Sequence, residues 1–313
     1  MTVGGGFPYE ILMTRLRADL LLLFTAVIWG AAFVVQKWAN GTMGPVSFVS
    51  ARFLLSALVL APFAIFEARR AAAPVPRADT RVALMVGICL CAGAVLQQTA
   101  LVTASATNGG FLTALYVVGV PFAAWAIMKE PIRPIVLAAC LVCVYGAWLL
   151  TDTDGPRTWA AGDLLLVVSD IPWAFSITLV SVFQRRCPRP FYLSFMQYAV
   201  TGVGAGVLAL MFETVTWDAV MASGPAILYA GILAGAVGFT LGVIAQRHTP
   251  PSEAGLIMSL ESVFAALAGA ALLDERLSFT ALTGCALILA GVVMVEAGPA
   301  LSRGLKALLA RGR

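Results

Sequence analysis

Ten apolar segments, each near 20 residues and joined by short connections, leave this 313-residue chain few ways to fold. They cover 18–38, 45–66, 82–102, 108–128, 134–150, 162–183, 190–212, 225–246, 252–273 and 279–297. About 20 apolar residues in helical form cross the roughly 30 Å hydrocarbon layer of a bilayer. Inside that layer every backbone N–H and C=O must be bonded within the protein, which restricts spanning structures to helices and closed barrels. Composition agrees: 60% of residues are apolar and 12% charged, where soluble domains are about half apolar and about a quarter charged. Mean hydropathy is +0.93. The expected fold is an all-α integral membrane protein.

The chain uses one unit twice. Residues 249–277 (TPPSEAGLIMSLESVFAALAGAALLDERL) have a counterpart 145 positions earlier in residues 105–133 (SATNGGFLTALYVVGVPFAAWAIMKEPIR). That spacing puts Gly110 on Gly255, Leu115 on Leu260, Glu130 on Glu275 and Tyr116 on Glu261. It also puts Pro45 on Pro190, Arg52 on Gln197, Cys140 on Cys285 and Gly146 on Gly291, and a spacing of 144 puts Trp29 on Trp173. The division expected is residues 1–150 for a first five-helix half and 151–313 for a second.

Basic residues orient the spans. With the N-terminus in the cytoplasm, 16 Lys and Arg fall in cytoplasmic connections or tails and 3 (Lys37, Arg157, Arg276) on the outer side. This is the positive-inside pattern. Both termini are then cytoplasmic, and the localisation expected is the inner membrane of the cell. Five spans is an odd number, so the second half enters the membrane inverted relative to the first. Many secondary transporters are built this way, with substrate sites near the midplane between repeats.

Other classes find less support. The basic residues form no nucleic-acid-binding motif. Five of the six cysteines lie in apolar runs, where cysteine mostly packs. Cys140 and Cys143 are spaced C-x-x-C but the chain has a single histidine, His248, so neither a metal site nor a cofactor is expected. Short loops and the lack of a nucleophile–base set argue against an enzyme. No P-loop is present, so ATP-driven pumping would need another subunit. The first dozen residues, with Gly4–Gly6 and Pro8, read as a disordered tail, and the first apolar run reads as a retained span. The residues after Pro299 read as a short basic amphipathic helix or a solubilising tail. Pro62, Pro121 and Pro172 lie within spans, where proline kinks a helix.

The stretch SEAGLIMSLESVFAALAGAALLDERLS resembles the penultimate-helix motif of the drug/metabolite transporter superfamily, EamA type. SATNGGFLTALYVVGVPFAA resembles that family's fourth helix, and Trp29-Gly30 and Arg52 also match. The resemblance spans essentially the whole chain. It implies a ten-helix inner-membrane permease of two inverted five-helix repeats that exports small metabolites. The wording of the fourth helix is nearest to the YddG-type aromatic amino-acid exporters. Ser262 stands where members often carry proline after the glutamate.

The residues singled out for transport are Trp29, Arg52, Gln97, Tyr116, Asp170, Trp173, Gln197 and Glu261. Counted at 1.5 Å per residue, Trp29, Tyr116, Trp173 and Glu261 lie roughly 13–16 Å inside their spans. An ionisable side chain at such depth is by default functional. Arg52 either pairs with Asp170 to hold two helices or grips a substrate carboxylate with its guanidinium. Glu261 suits an ammonium or a proton. The two tryptophans either line a cavity or pack against a carbonyl. Gln97, Gln98, Asn108, Gln197 and Tyr198 either add polar contacts to the site or make packing hydrogen bonds between helices, the commoner fate of each. The function expected is secondary export of amino acids, neutral or aromatic. The alternatives are a carrier of other metabolites or cationic drugs, or a channel. The partners expected are a small-molecule substrate and the lipid bilayer.

Overall fold

The computed structural model describes residues 14–150, 161–272 and 278–311. The glycine-rich tail, the junction between the proposed halves, and Asp274, Glu275 and Arg276 lie outside them. Among the described residues all regular secondary structure is helical. The elements are α1 (Arg15–Ala39), α2 (Pro45–Arg70), α3 (Arg77–Ala100), α4 (Ala106–Thr113), α5 (Tyr116–Met128), α6 (Pro134–Leu150) and α7 (Ala161–Arg186). They continue with α8 (Pro190–Phe212), α9 (Trp217–Ala222), α10 (Gly224–Leu228), a π-helical stretch (Tyr229–Phe239), α11 (Thr240–Ala245), α12 (Pro251–Met258), α13 (Glu261–Leu272) and α14 (Phe279–Arg311).

Among the described residues, eight spans are long and apolar enough to cross a membrane, with two shorter apolar helices at Pro134–Leu149 and Phe279–Val295. Large apolar side chains such as Leu58, Leu141 and Leu210 point outward, 72%, 69% and 79% exposed. The interior mixes large apolar side chains such as Phe53, Phe183 and Leu90 with buried polar ones such as Thr25, Ser56 and Gln98. The ten spans form two inverted five-helix sets. The chief packing pairs are α2 with α8, α3 with α7, and α6 with α14.

Two spans are broken. The first is α4–α5, interrupted at Ala114–Leu115, and the second is α12–α13, interrupted at Ser259–Leu260. The breaks are 145 residues apart, the spacing of the sequence repeat. Each is a tightened turn: Leu115 N–H donates to Leu112 O at 3.2 Å, and Leu260 N–H to Ile257 O at 3.2 Å. Tightened turns inside a helix often mark functional sites. Neither break needs a proline. The Ser259 and Ser262 hydroxyls donate to Leu256 O (2.7 Å) and Ser259 O (2.8 Å), satisfying carbonyls that the break would strand. Helices α2, α5 and α7, by contrast, run on through Pro62, Pro121 and Pro172.

The α2–α8 pair carries reciprocal caps. At the start of α2, Glu213 from the end of α8 accepts from Val46 N–H (2.9 Å), Ser47 N–H (2.8 Å) and the Ser47 hydroxyl (2.6 Å). At the start of α8, Glu67 from near the end of α2 accepts from Phe191 N–H (3.3 Å) and Tyr192 N–H (2.8 Å). A helix start has N–H groups without intrahelical partners and a partial positive charge, so a carboxylate there meets both needs. Gly44 precedes α2 because a Cβ there would sit 2.3 Å from the Glu213 carboxylate.

Other polar contacts sort the helix ends onto two faces. On one, Glu253 is buried and paired with both Arg15 and Arg133, Arg15 also meets Asp19 (3.5 Å), and Glu130 pairs with Arg185. On the other, Lys37 Nζ donates to Leu101 O (2.8 Å) and Ala104 O (2.7 Å) at the end of α3, and Asn108 donates to Asp163 (3.4 Å). Cys140 and Cys143 are buried, with thiols directed at Val117 O (3.3 Å) and Ile288 O (3.6 Å).

Removing a side-chain cap costs about 0.5–2 kcal/mol. Glu67→Ala and Glu213→Ala are each expected to lower the thermal stability of the detergent-solubilised protein. Glu213→Ala is expected to cost more, because Ser47 loses a partner as well. An unchanged melting temperature in both variants would contradict the assignment.

Candidate functional site

The helix breaks set Tyr116 and Glu261 at the first turns of α5 and α13, and both face a central cavity. Trp29, Arg52, Gln97 and Trp173 line it too, with Gln36, Thr113 and Phe239. So six of the eight residues singled out from the sequence share one cavity. Gln197 lines a second cavity, which shares Trp29, Tyr116, Trp173 and Phe239 with the first. Asp170 lies one turn before Trp173 on α7, buried but outside the lining of both cavities.

Arg52 and Asp170 form no ion pair with each other. Instead the Arg52 guanidinium lies over the rings of Phe53 (4.9 Å to the centroid) and Phe48 (5.6 Å). The Asp170 carboxylate is buried beside the Tyr116 backbone N–H and forms no ion pair among the described residues. The two tryptophans also differ. Trp29 Nε1 donates to Ala234 O of the π-helical stretch at 3.1 Å, whereas Trp173 Nε1 is buried and makes no hydrogen bond. The repeat mates have therefore split the two roles open to them: one indole N–H braces a backbone carbonyl and the other is left for the cavity.

Unmet polar atoms concentrate here. Arg52 Nε, Thr113 Oγ1 and Trp173 Nε1 all belong to the lining of the first cavity and make no hydrogen bond, and the Tyr116 hydroxyl and the Glu261 carboxylate face each other across it. Buried polar groups are ordinarily paired, because leaving one unmet costs about 1–3 kcal/mol. A cluster of unmet donors and acceptors around one space marks where a polar guest or ordered water belongs. Elsewhere the polar candidates are spent on packing. Tyr198 OH contacts Gly235 O (3.2 Å) and Thr240 Oγ1 (3.0 Å), and Gln98 donates to Gln36 O (3.0 Å) and Asn40 (2.8 Å).

Six residues lining the first cavity went unnoticed in the sequence: Ala32, Phe33, Gln36, Thr113, Ala234 and Phe239. Gln36 lies seven residues after Trp29 and Thr113 three before Tyr116, each on the same helical face as its neighbour, so helical periodicity held the signal. Phe239 carries no such signal, since it closes a stretch whose helical register is not that of an α-helix.

Gly30 brings α1 against the start of α13. A Cβ there would lie 2.4 Å from Phe264 Cβ and 2.8 Å from both Glu261 O and Ala265 N.

A ten-span helical bundle with broken helices around a buried polar cavity defines a membrane transporter. Comparison with known proteins agrees. The EamA-like transporter family model matches residues 16–152 and again 160–297, once in each half. An uncharacterized transporter of Archaeoglobus fulgidus is 30% identical over 282 residues, covering 90% of this chain and 86% of its own. YwfM of Bacillus subtilis, also an uncharacterized transporter, is 24% identical over 90% of this chain and 94% of its own. One crystal structure, 19% identical, superposes with a TM-score of 0.73 over 93% of this chain and 99% of that one, and so has the same fold. The chain belongs to the EamA-like transporter family.

Overpacking a tight helix contact costs about 1–3 kcal/mol. Gly30→Ala is therefore expected to lower thermal stability and to reduce transport by displacing α13 and Glu261. A variant of full stability and flux would show that α1 and α13 separate freely.

Proposed function

We propose that this protein is a secondary carrier that exports amino acids with neutral or aromatic side chains, by alternating access to the central cavity. One observation carries the reading. A guanidinium (Arg52), a carboxylate (Glu261) and a free indole N–H (Trp173) share a buried cavity with the rings of Trp29, Tyr116 and Phe239. A zwitterion brings a carboxylate for the arginine and an ammonium for the glutamate. Its side chain then meets an aromatic wall, where ring stacking adds roughly 0.5–1.5 kcal/mol beyond area burial. The aromatic preference accords with the resemblance of the fourth helix to aromatic amino-acid exporters. The distribution of basic residues supports cytoplasmic termini and residence in the inner membrane. Residues 1–150 and 151–313 are the two halves between which access alternates.

A second reading rests on Asp170. Its buried carboxylate and that of Glu261 are two acids against one arginine, a balance that favours a cationic metabolite or drug.

Reconstitution into liposomes with a panel of labelled amino acids and organic cations decides between the two. For the amino-acid carrier, Trp173→Ala is expected to weaken apparent affinity for phenylalanine up to about tenfold more than for alanine, since 1.4 kcal/mol is tenfold. An equal loss for both would refute the selectivity role. Transport of cations alone, with no amino-acid flux, would favour the second reading.

Glu261→Gln keeps the size of the side chain and removes its charge. It is expected to fold and insert, and to lose most amino-acid flux or the dependence of that flux on pH. Normal flux with an unchanged pH profile would make Glu261 structural.

A further inference from the structure

The two central cavities lie toward opposite faces of the membrane. The first takes residues from the C-terminal half of α1 (Gln36), the start of α2 (Arg52) and the end of α3 (Gln97). These lie on the side where Lys37 binds the end of α3. The second takes Val180 of α7, Gln246 just after α11 and Met258 of α12, on the side of the Arg15–Glu253–Arg133 cluster. Trp29, Tyr116, Trp173 and Phe239 border both cavities.

Phe239 is the centre of that wall. Its ring centroid lies 4.4 Å from Trp29 and 5.8 Å from Trp173, nearly parallel to the latter at 13°. Phe53 at 5.8 Å and Tyr198 at 6.4 Å close the remaining sides. Among the described residues it is the ring paired with both tryptophans, and it fills the space between the two repeat mates.

The backbone that carries this ring is unusual. Phe239 ends the eleven-residue π-helical stretch, a form rare in proteins and frequent at functional sites. The corresponding span of the first half, α3, is α-helical throughout. The π register is held from outside by four side chains on three helices. Ser56 Oγ donates to Gly231 O (2.7 Å), Trp29 Nε1 to Ala234 O (3.1 Å), Tyr198 OH to Gly235 O (3.2 Å) and Thr25 Oγ1 to Gly238 O (3.1 Å). Three of those four carbonyls belong to glycines. If the π register moves past Phe239, the ring turns by about one residue's rotation, roughly 100°. Gly242, three residues on and in the lining of the second cavity, leaves room there: a Cβ on it would have no closer neighbour than Met258 Sδ at 4.0 Å.

We propose that Phe239 is the partition between the two cavities, and that the π-helical stretch is the joint on which it swings to let solute pass between Trp29 and Trp173. This rests on the carrier reading of the cavities but not on the identity of the substrate, so its test uses no substrate.

A cysteine is placed in the first cavity by Thr113→Cys. None of the six native cysteines lines either cavity, and the chain without Thr113→Cys gives the background. The protein is inserted in membrane vesicles of both orientations and exposed to a membrane-impermeant thiol reagent. Reaction rates are read by mass shift. From the face nearer Gln246, Phe239→Ala is expected to raise the rate at least tenfold, with Phe239→Leu intermediate. Gly238→Ala, whose Cβ would sit 2.9 Å from Trp29 Nε1, is expected to slow it below the parent. Rates from that face unchanged within twofold in Phe239→Ala and Phe239→Leu would overturn the proposal. So would failure of both variants to accumulate as folded protein, which would make Phe239 a packing residue. An amino-acid panel that shows no flux refutes the proposed substrate and leaves the labelling result standing.

Discussion

In hydrocarbon there is no water to take up a stranded carbonyl or N–H, and each such group costs several kcal/mol. Most of this molecule can be understood as the answer to that constraint. Where the helices end, carboxylates and Lys37 Nζ supply the missing partners. Where they break, at Ala114–Leu115 and Ser259–Leu260, tightened turns and serine hydroxyls do so. Where the ladder widens into the π-helical stretch, hydroxyls and an indole from three other helices reach in. Exceptions gather most densely at the centre. Arg52, Thr113 and Trp173 turn unpaired polar atoms toward one space, with the Tyr116 hydroxyl and the Glu261 carboxylate beside them. That clustering is what a cavity built for a polar guest would show.

The two halves share a plan but have diverged at the centre. Tyr116 and Glu261 occupy matched positions after matched breaks, and one is a phenol where the other is a carboxylate. Trp29 and Trp173 have likewise taken different hydrogen-bonding roles. The first half keeps α3 α-helical where the second has the π-helical stretch. Symmetry places the parts, and substitution makes the cavity's walls unlike. A zwitterion, itself charged oppositely at its two ends, suits walls of that kind.

Much of this was legible from residue order alone. The spans follow from apolar length, and the repeat from the spacing of 145. Trp29, Arg52, Tyr116, Trp173 and Glu261 could be gathered by depth, because helical rise converts sequence position into distance along the membrane normal. Depth says nothing about azimuth, however. Arg52 and Asp170 lie at compatible depths and still do not meet, since Arg52 settles over Phe53 and Phe48. Phe239 was hidden for a different reason: its place depends on a change of helical register that the hydrophobic pattern does not encode. Glu67 and Glu213 drew no notice in the sequence, because nothing local shows that each sits beneath the start of a helix more than 120 residues away.

Those two acids have a consequence for how the molecule comes into being. Each caps a helix that belongs to the other half, so neither half holds a complete set of its own hydrogen bonds. A five-helix half emerging first from the ribosome would carry Glu67 without a helix to cap and an α2 start without its acceptor. The caps close only when α8 arrives. The second half therefore does more than dock against a finished first one. The final stability of α2 is supplied by residues made well over a hundred positions later, and the two repeats are parts of a single folding unit.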